Sequence, residues 1–281
     1  MANLAQRLGR PADARLLIIS ADDLGMCHSA NEGVFDALRS GTATSASLMV
    51  PCPWAKEAAA RHRGEDIGVH LTLTAEFENY RWGPVTQAPS LLGGDGGFPS
   101  TIEDCWDHAD LDESRRELRA QVERAILWGF DVTHLDSHMG VLQFRPEFFD
   151  LYLDLAATFQ LPIRLPSHSA QKDTGFPFRD LAESEGVVSP DRLLFADRLR
   201  EGRSLERTVM DLEPGVTEIG LQPAADNSEL KSLAPDWARR VDHRDLLVHG
   251  SELRETIRRS GVDLIGWREL RDLQRAEATK P

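Results

Sequence analysis

The chain has 281 residues, 41% of them hydrophobic and 28% charged, enough for one barrel-sized globular domain. Its formal net charge of -14 argues against nucleic acid or an anionic membrane as the main partner, since both favour basic surfaces. No apolar stretch approaches the roughly 20 residues needed to span a bilayer, and the start Met1-Ala2-Asn3-Leu4-Ala5-Gln6-Arg7 lacks the apolar region of a secretory signal.

In chain order, residues 1–13 are expected to be a flexible terminus. Leu16-Leu17-Ile18-Ile19 reads as a buried strand that ends in Ser20-Ala21-Asp22-Asp23-Leu24-Gly25. Ser29 and Glu32 have the spacing of a capping box, Val34, Phe35 and Leu38 follow at helical spacing, and Gly41 is a stop. A strand over 44–50 and a helix over 54–62 come next, then a strand over 67–73 that carries His70. The connection 75–109 holds Phe77, Tyr80, Trp82, five residues of Gly93-Gly94-Asp95-Gly96-Gly97, and Trp106. The clearest helix runs over 110–130, with Leu111, Leu118, Val122 and Ile126 close to one face. A strand begins at Val132 and ends in His134-Leu135-Asp136-Ser137-His138. Pro146 opens a helix with Phe148, Phe149, Tyr152 and Leu155. Strands over 162–165, 217–221 and 262–265 complete the set, a second long connection spans 166–202, and 275–281 reads as a frayed tail. About seven strands alternating with helices give an α/β fold: a single-domain, distorted (β/α) barrel over 1–281, TIM-barrel-like.

The chemistry sits at the strand ends. Two adjacent carboxylates, Asp22 and Asp23, are costly to bury unless a cation or a shared proton compensates. His70 lies inside one apolar run, and His134 and His138 flank Asp136 at the end of another. By period-two alternation His134 and Asp136 share one strand face. The carboxyl ends of parallel strands converge, so one carboxylate and two imidazoles on three of them make a facial metal site with open positions. Each residue alone has an ordinary reading: a helix cap for either Asp, a core residue for His70 or His134. The cysteines Cys27, Cys52 and Cys105 are sparse and lack metal-binding spacing, which fits a reducing cytoplasm. Cys27 either lines the pocket or is a small buried residue. Aromatic side chains of the long connections, Trp82 among them, either stack on sugar faces or pack the loop onto the barrel.

These motifs resemble the YdjC/ChbG family of carbohydrate deacetylases. The resemblance is carried by Ala21-Asp22-Asp23-Leu24-Gly25, Gly68-Val69-His70-Leu71, Thr133-His134-Leu135-Asp136-Ser137-His138 and Thr217-Glu218-Ile219-Gly220-Leu221-Gln222-Pro223, and spans about residues 15–270. It implies metal-dependent removal of N-acetyl groups from an amino sugar or short oligosaccharide. The implied ligands of one divalent ion are Asp23, His70 and His138, with zinc or magnesium foremost and manganese, cobalt or iron also fitting. Asp22 is the implied general base, and His134, Asp136, Arg164, Glu218 and Trp82 are candidate substrate contacts or supports of the site. The chain departs from the family at Gln222, where a histidine is usual. A glutamine cannot deliver a proton near neutral pH, but its amide can donate a hydrogen bond to an oxyanion. The expected enzyme is thus a cytoplasmic hydrolase with a small carbohydrate substrate and the capacity to form a homodimer. The alternatives are another metal-dependent hydrolase on the same barrel, or a sugar-binding homologue weakened by Gln222.

Overall fold

β1 (Arg15–Leu24) is the axis of the structure. In this computed structural model, which describes residues 2–196 and 204–279, β1 is buried along almost its whole length. Its residues 15–21 pair in register with β6 (Gly215–Leu221). On its other side the first three residues pair with β7 (Val262–Leu264), while Ser20, Ala21 and Leu24 pair with β2 (Ser45–Leu48). β3 (Ile67–Leu71) follows β2, β4 (Leu135–Ser137) follows β3, and β5 (Arg192–Phe195) pairs with the outer side of β6. Every pairing is parallel, in the order β4-β3-β2-β1-β6-β5. Parallel strands covered on both faces need near-continuous apolar sequence, which is what Leu16 to Ile19 supply.

The sheet curls into a barrel wall. Beyond β4 the wall continues through one bridge, Leu135 with Ile163, and Ile163 N–H then donates to the Val188 carbonyl. The expected strand over 162–165 is therefore a single bridged residue. The strand that flanks β6, β5, comes from inside the stretch read as a connection. Pro162 and Pro166 frame the first segment and remove ladder donors. Arg192-Leu193-Leu194-Phe195 is short, only half-buried and without alternation, so its sequence carries little strand signal. The rest of that stretch forms helices His168–Thr174 and Phe178–Ser184, and its residues 197–202 lie outside those described.

Two helix details differ from the sequence reading. The helix after β1 runs His28–Arg39 and is capped by Cys27, whose Sγ accepts from Ala30 N–H, rather than by a Ser29–Glu32 box. Ser29 Oγ bonds instead to Asn227 and Glu229. The long helix is Leu111–Leu127, capped by Asp110. Its buried side is Ser114, Glu117, Leu118, Gln121, Val122 and Ala125, whereas Leu111 and Ile126 are exposed. Glu117 faces inward because it accepts from Val85 N–H, Thr86 N–H and Thr86 Oγ1, and Gln121 bonds both backbone groups of Thr72. These two side chains hold the 75–109 connection against the barrel.

The helix Pro146–Phe159 buries Phe148, Phe149, Tyr152 and Leu155 as its spacing predicts. Within 1–13 a short helix, Leu4–Arg7, buries Leu4 and Ala5, and the last helix continues through Ala278, inside the expected tail. Arg7 pairs with Glu277 at 2.6 Å. The three cysteines are buried free thiols, and no described helix is long and apolar enough to cross a membrane.

Candidate metal centre

The site is built where β1, β3, β4 and β6 end. Ser20 and Asp22 share the interior face of β1, and Ser20 Oγ donates to Asp22 Oδ1 at 2.9 Å. Strict alternation would turn Asp23 to the opposite face. Instead the register shifts between Ala21 and Leu24, and Asp23 has φ 67°. This left-handed residue, a conformation Asp tolerates better than most, lets two consecutive carboxylates serve one site.

The three expected ligands meet. His70 Nε2 lies 3.5 Å from Asp23 Oδ1, His138 Nδ1 lies 4.0 Å from the same oxygen, and the two ring nitrogens are 3.1 Å apart. All three residues are buried. An ion about 2.1 Å from each donor holds neighbouring donors roughly 3.0–3.5 Å apart, so the triangle is close to the size a divalent cation requires. The supporting contacts agree. Asp23 Oδ1 is buried and accepts no hydrogen bond among the described residues. His70 Nδ1 is held by Asp136 Oδ2 at 2.7 Å, with Ser47 Oγ at 3.3 Å, which leaves Nε2 facing the site. His138 Nε2 is held by Glu76 Oε2 at 2.9 Å, which leaves Nδ1 facing it. A carboxylate behind each imidazole is the arrangement that fixes metal-ligating histidines.

Asp23 Oδ2 is clamped from the other side. It accepts from Arg240 Nη1 at 2.7 Å and from Gln222 Nε2 at 2.8 Å. Burial opposes ionisation of Asp23, but Arg240 and then the two histidines outweigh it and bring its pKa down to about 2. The Gln222 amide is oriented in turn, since its Oε1 accepts from Arg239 Nη2 at 2.9 Å. The Gln222 amide thus bonds a candidate ligand through one N–H and Arg239 through Oε1, while its second N–H keeps the capacity to donate.

Beneath the triangle lies a buried charge cluster centred on Arg164. Its guanidinium bonds both oxygens of Asp22 at 2.8 Å, Asp136 Oδ2 at 2.7 Å and Glu218 Oε1 at 2.7 Å. Burial raises the pKa of Asp22, with Arg164 opposing, and raises that of Glu218 in the same way. Burial also works against Asp136, yet His70 and Arg164 hold its carboxyl well below the usual range. His70 resists its own burial through Asp136, which lifts it to about 9. The expected supports Asp136, Arg164 and Glu218 thus form one network with the candidate base.

His134 and Trp82 take structural positions. His134 shares the interior face with Asp136 but stacks on Trp267, ring centroids 4.4 Å apart, and burial lowers its pKa to about 3. Trp82 is 3% exposed and donates to the Thr74 carbonyl, with its ring 6.1 Å from that of His138. It packs behind a candidate ligand and offers no face to a sugar. Sequence reasoning missed Glu76, Ser47, Arg239 and Arg240. Arg240 lies 217 positions from the carboxylate it holds, and Glu76 lies in a connection without regular periodicity, so neither carries a local signal.

Comparison with known proteins adds four findings. A family model described as YdjC-like protein matches residues 16–259. A carbohydrate deacetylase of Thermus thermophilus is 33% identical over 96% of this chain and 98% of its own length. A chitooligosaccharide deacetylase of Yersinia pestis (strain Pestoides F) is 34% identical over 56% of the chain and 62% of its own length. Among solved structures, an Enterococcus faecalis V583 protein proposed to cleave cellobiose phosphate superposes with a TM-score of 0.78 at 27% identity, over 92% of this chain and 99% of that one. The match of a family model to most of the chain, joined by a full-length relative, shows that this chain belongs to the YdjC-like family.

Proposed function

We propose that the protein hydrolyses the acetamide of an N-acetylated amino sugar or short oligosaccharide and releases acetate. The observation that carries this reading is the buried Asp23–His70–His138 triangle, each imidazole backed by a carboxylate, with Asp22 beside it and not part of it. The names of the Thermus and Yersinia relatives point to the same substrate class.

A divalent ion held by Asp23, His70 and His138 would supply Lewis-acid polarisation of the acetamide carbonyl and a more acidic water. The protein supplies the proton handling. Asp22, buried and raised in pKa, takes the proton of the attacking water; Arg164 keeps its carboxylate oriented. The same proton then passes from Asp22 to the departing amine, because Gln222 has none to give. Glu76 and Asp136 fix the two rings, and Arg240 with Gln222 fixes the carboxylate.

The name of the Enterococcus protein favours a sugar phosphate instead. The two guanidiniums nearest the triangle, Arg164 and Arg240, are already neutralised by buried carboxylates, which leaves little positive charge for a phosphate. The test is release of acetate from N-acetylglucosamine, chitobiose and longer acetylated sugars, with added zinc or magnesium and with chelator. Acetate and free amine in equal amounts, abolished by chelator, is the expected result. Protein that binds metal stoichiometrically yet frees no acetate from any of these sugars would refute the proposal.

A further inference from the structure

Glu76, the carboxylate behind His138, belongs to no helix or strand. It stands on the irregular connection after β3, so its aim has to come from side-chain bonds to the main chain around it. Arg81 supplies them. Its Nη1 donates to the carbonyls of Ala75 and Phe77, the residues on either side of Glu76. Its Nη2 donates to the Phe98 carbonyl, and its Nε to Asp95 Oδ2 at 2.6 Å. A guanidinium carries five N–H donors in a planar fork, so one side chain can tie three carbonyls and a carboxylate together. The main chain closes the same loop twice more: Ala75 N–H donates to the Pro99 carbonyl and Phe98 N–H to the Trp82 carbonyl, both at 2.8 Å.

The run Gly93-Gly94-Asp95-Gly96-Gly97 finds its use here. Gly96 has φ 86°, and a β-carbon at Gly97 would stand 3.1 Å from the Trp82 carbonyl oxygen and 3.2 Å from both Cβ and Nε of Arg81. Only a chain without side chains at these positions lies this close over Arg81. Gly93 N–H donates to the Gly97 carbonyl at 2.7 Å, and Gly97 N–H to Asp95 Oδ1 at 3.0 Å, which turns the other oxygen of Asp95 toward Arg81. The side chain of Asp95 is 50% exposed, so its ion pair contributes little by itself. The bonds from Arg81 to the main chain, on a side chain only 20% exposed, carry the larger share.

We propose that Arg81 is a positioning residue for His138: by gripping the main chain on both sides of Glu76 it fixes the carboxylate that aims the imidazole into the triangle. Its consequence for metal rests on the metal site invoked above. The test is a double-mutant cycle on zinc affinity, read by chelator competition in the wild type, Arg81→Ala, Glu76→Ala and the double variant. Arg81→Ala is expected to loosen zinc about tenfold in the wild-type background and by no more than about twofold once Glu76 is gone. A part in general stability alone would give the same loss in both backgrounds, and that result, or unchanged zinc affinity in Arg81→Ala, overturns the proposal. If Arg81→Ala does not fold, Arg81→Lys replaces it in the same cycle with the same two readings, since it keeps the charge and loses the fork. A wild type that takes up no zinc sinks the metal site and leaves Arg81 to be judged from the ring nitrogen signals of His138 by NMR of the metal-free protein. A proton fixed on Nε2 in the wild type and redistributed between the ring nitrogens in the Arg81 variant supports the proposal, and the same tautomer in both refutes it.

Discussion

Asp22 and Asp23 are neighbours in contrasting surroundings, which suit them to the separate duties proposed for them. Asp23 keeps one oxygen bare toward His70 and His138, while Asp22 spends both on Arg164. Asp22→Asn is therefore expected to retain stoichiometric metal and to lose turnover by at least about a hundredfold; elemental analysis beside an acetate assay checks both halves. Gln222 is expected to act through Asp23. Gln222→Ala should lower metal affinity by about tenfold to a hundredfold, measured by competition with a chelator, and Glu76→Gln should do the same through His138. A loss of turnover in Gln222→Ala at unchanged metal affinity would return Gln222 to the role of an oxyanion donor. At this scale the sequence was informative wherever a donor sat at a strand end, as Asp23, His70 and His138 do. It was silent on the residues that aim them. Arg239 and Arg240 sit on a surface-type helix whose sequence gives no hint that one of them is 2% exposed against a carboxylate.

At the scale of elements, β1 was legible because parallel burial enforces an apolar run, Leu16 to Ile19, while Ile67 to Leu71 and Thr217 to Leu221 read as strands despite the polar His70, Thr217 and Glu218 they carry. The wall between β4 and β5 was not legible. A single bridge at Ile163 and a half-buried strand at Arg192–Phe195 leave no periodic trace. The helix Leu111–Leu127 shows the reverse error, since its charged positions read as solvated while Glu117 and Gln121 turn inward to hold a loop backbone. Glu117→Ala is expected to cost about 2–3 kcal/mol in a urea titration, because it leaves Val85 and Thr86 amides without their acceptor. Faster amide exchange over residues 83–98 should accompany it. Gly68 faces a tighter limit: a β-carbon there would stand 2.5 Å from His134 ring atoms and from its carbonyl oxygen. Gly68→Ala should destabilise by about 1–3 kcal/mol and disturb the stack on Trp267.

For the whole molecule, the acid side of the stability curve follows from His134. Its folded pKa, about 3, is below the roughly 6.5 of an unfolded histidine. The unfolded chain therefore binds the extra proton, and stability falls as pH drops from about 6.5 toward 3. Asp23 and Asp136, with lowered values, act in the same direction but begin near the ordinary carboxylate range, while Asp22 and Glu218, with raised values, act oppositely. The contribution of His134 is read by difference: His134→Phe should reduce the slope of unfolding free energy with pH between 6 and 4 by up to about 1.4 kcal/mol per unit. Metal should also stabilise the fold as a whole. Stripping it with chelator is expected to lower Tm, and readdition to restore it in proportion to the logarithm of free metal.

The stack of Trp267 on His134 bears on the charge cluster around Arg164. Trp267 N–H is fixed by Ser45 Oγ and its indole N–H by Glu218, and the ring is fully buried. The indole thereby props, through Glu218, the guanidinium on which the proposed base rests.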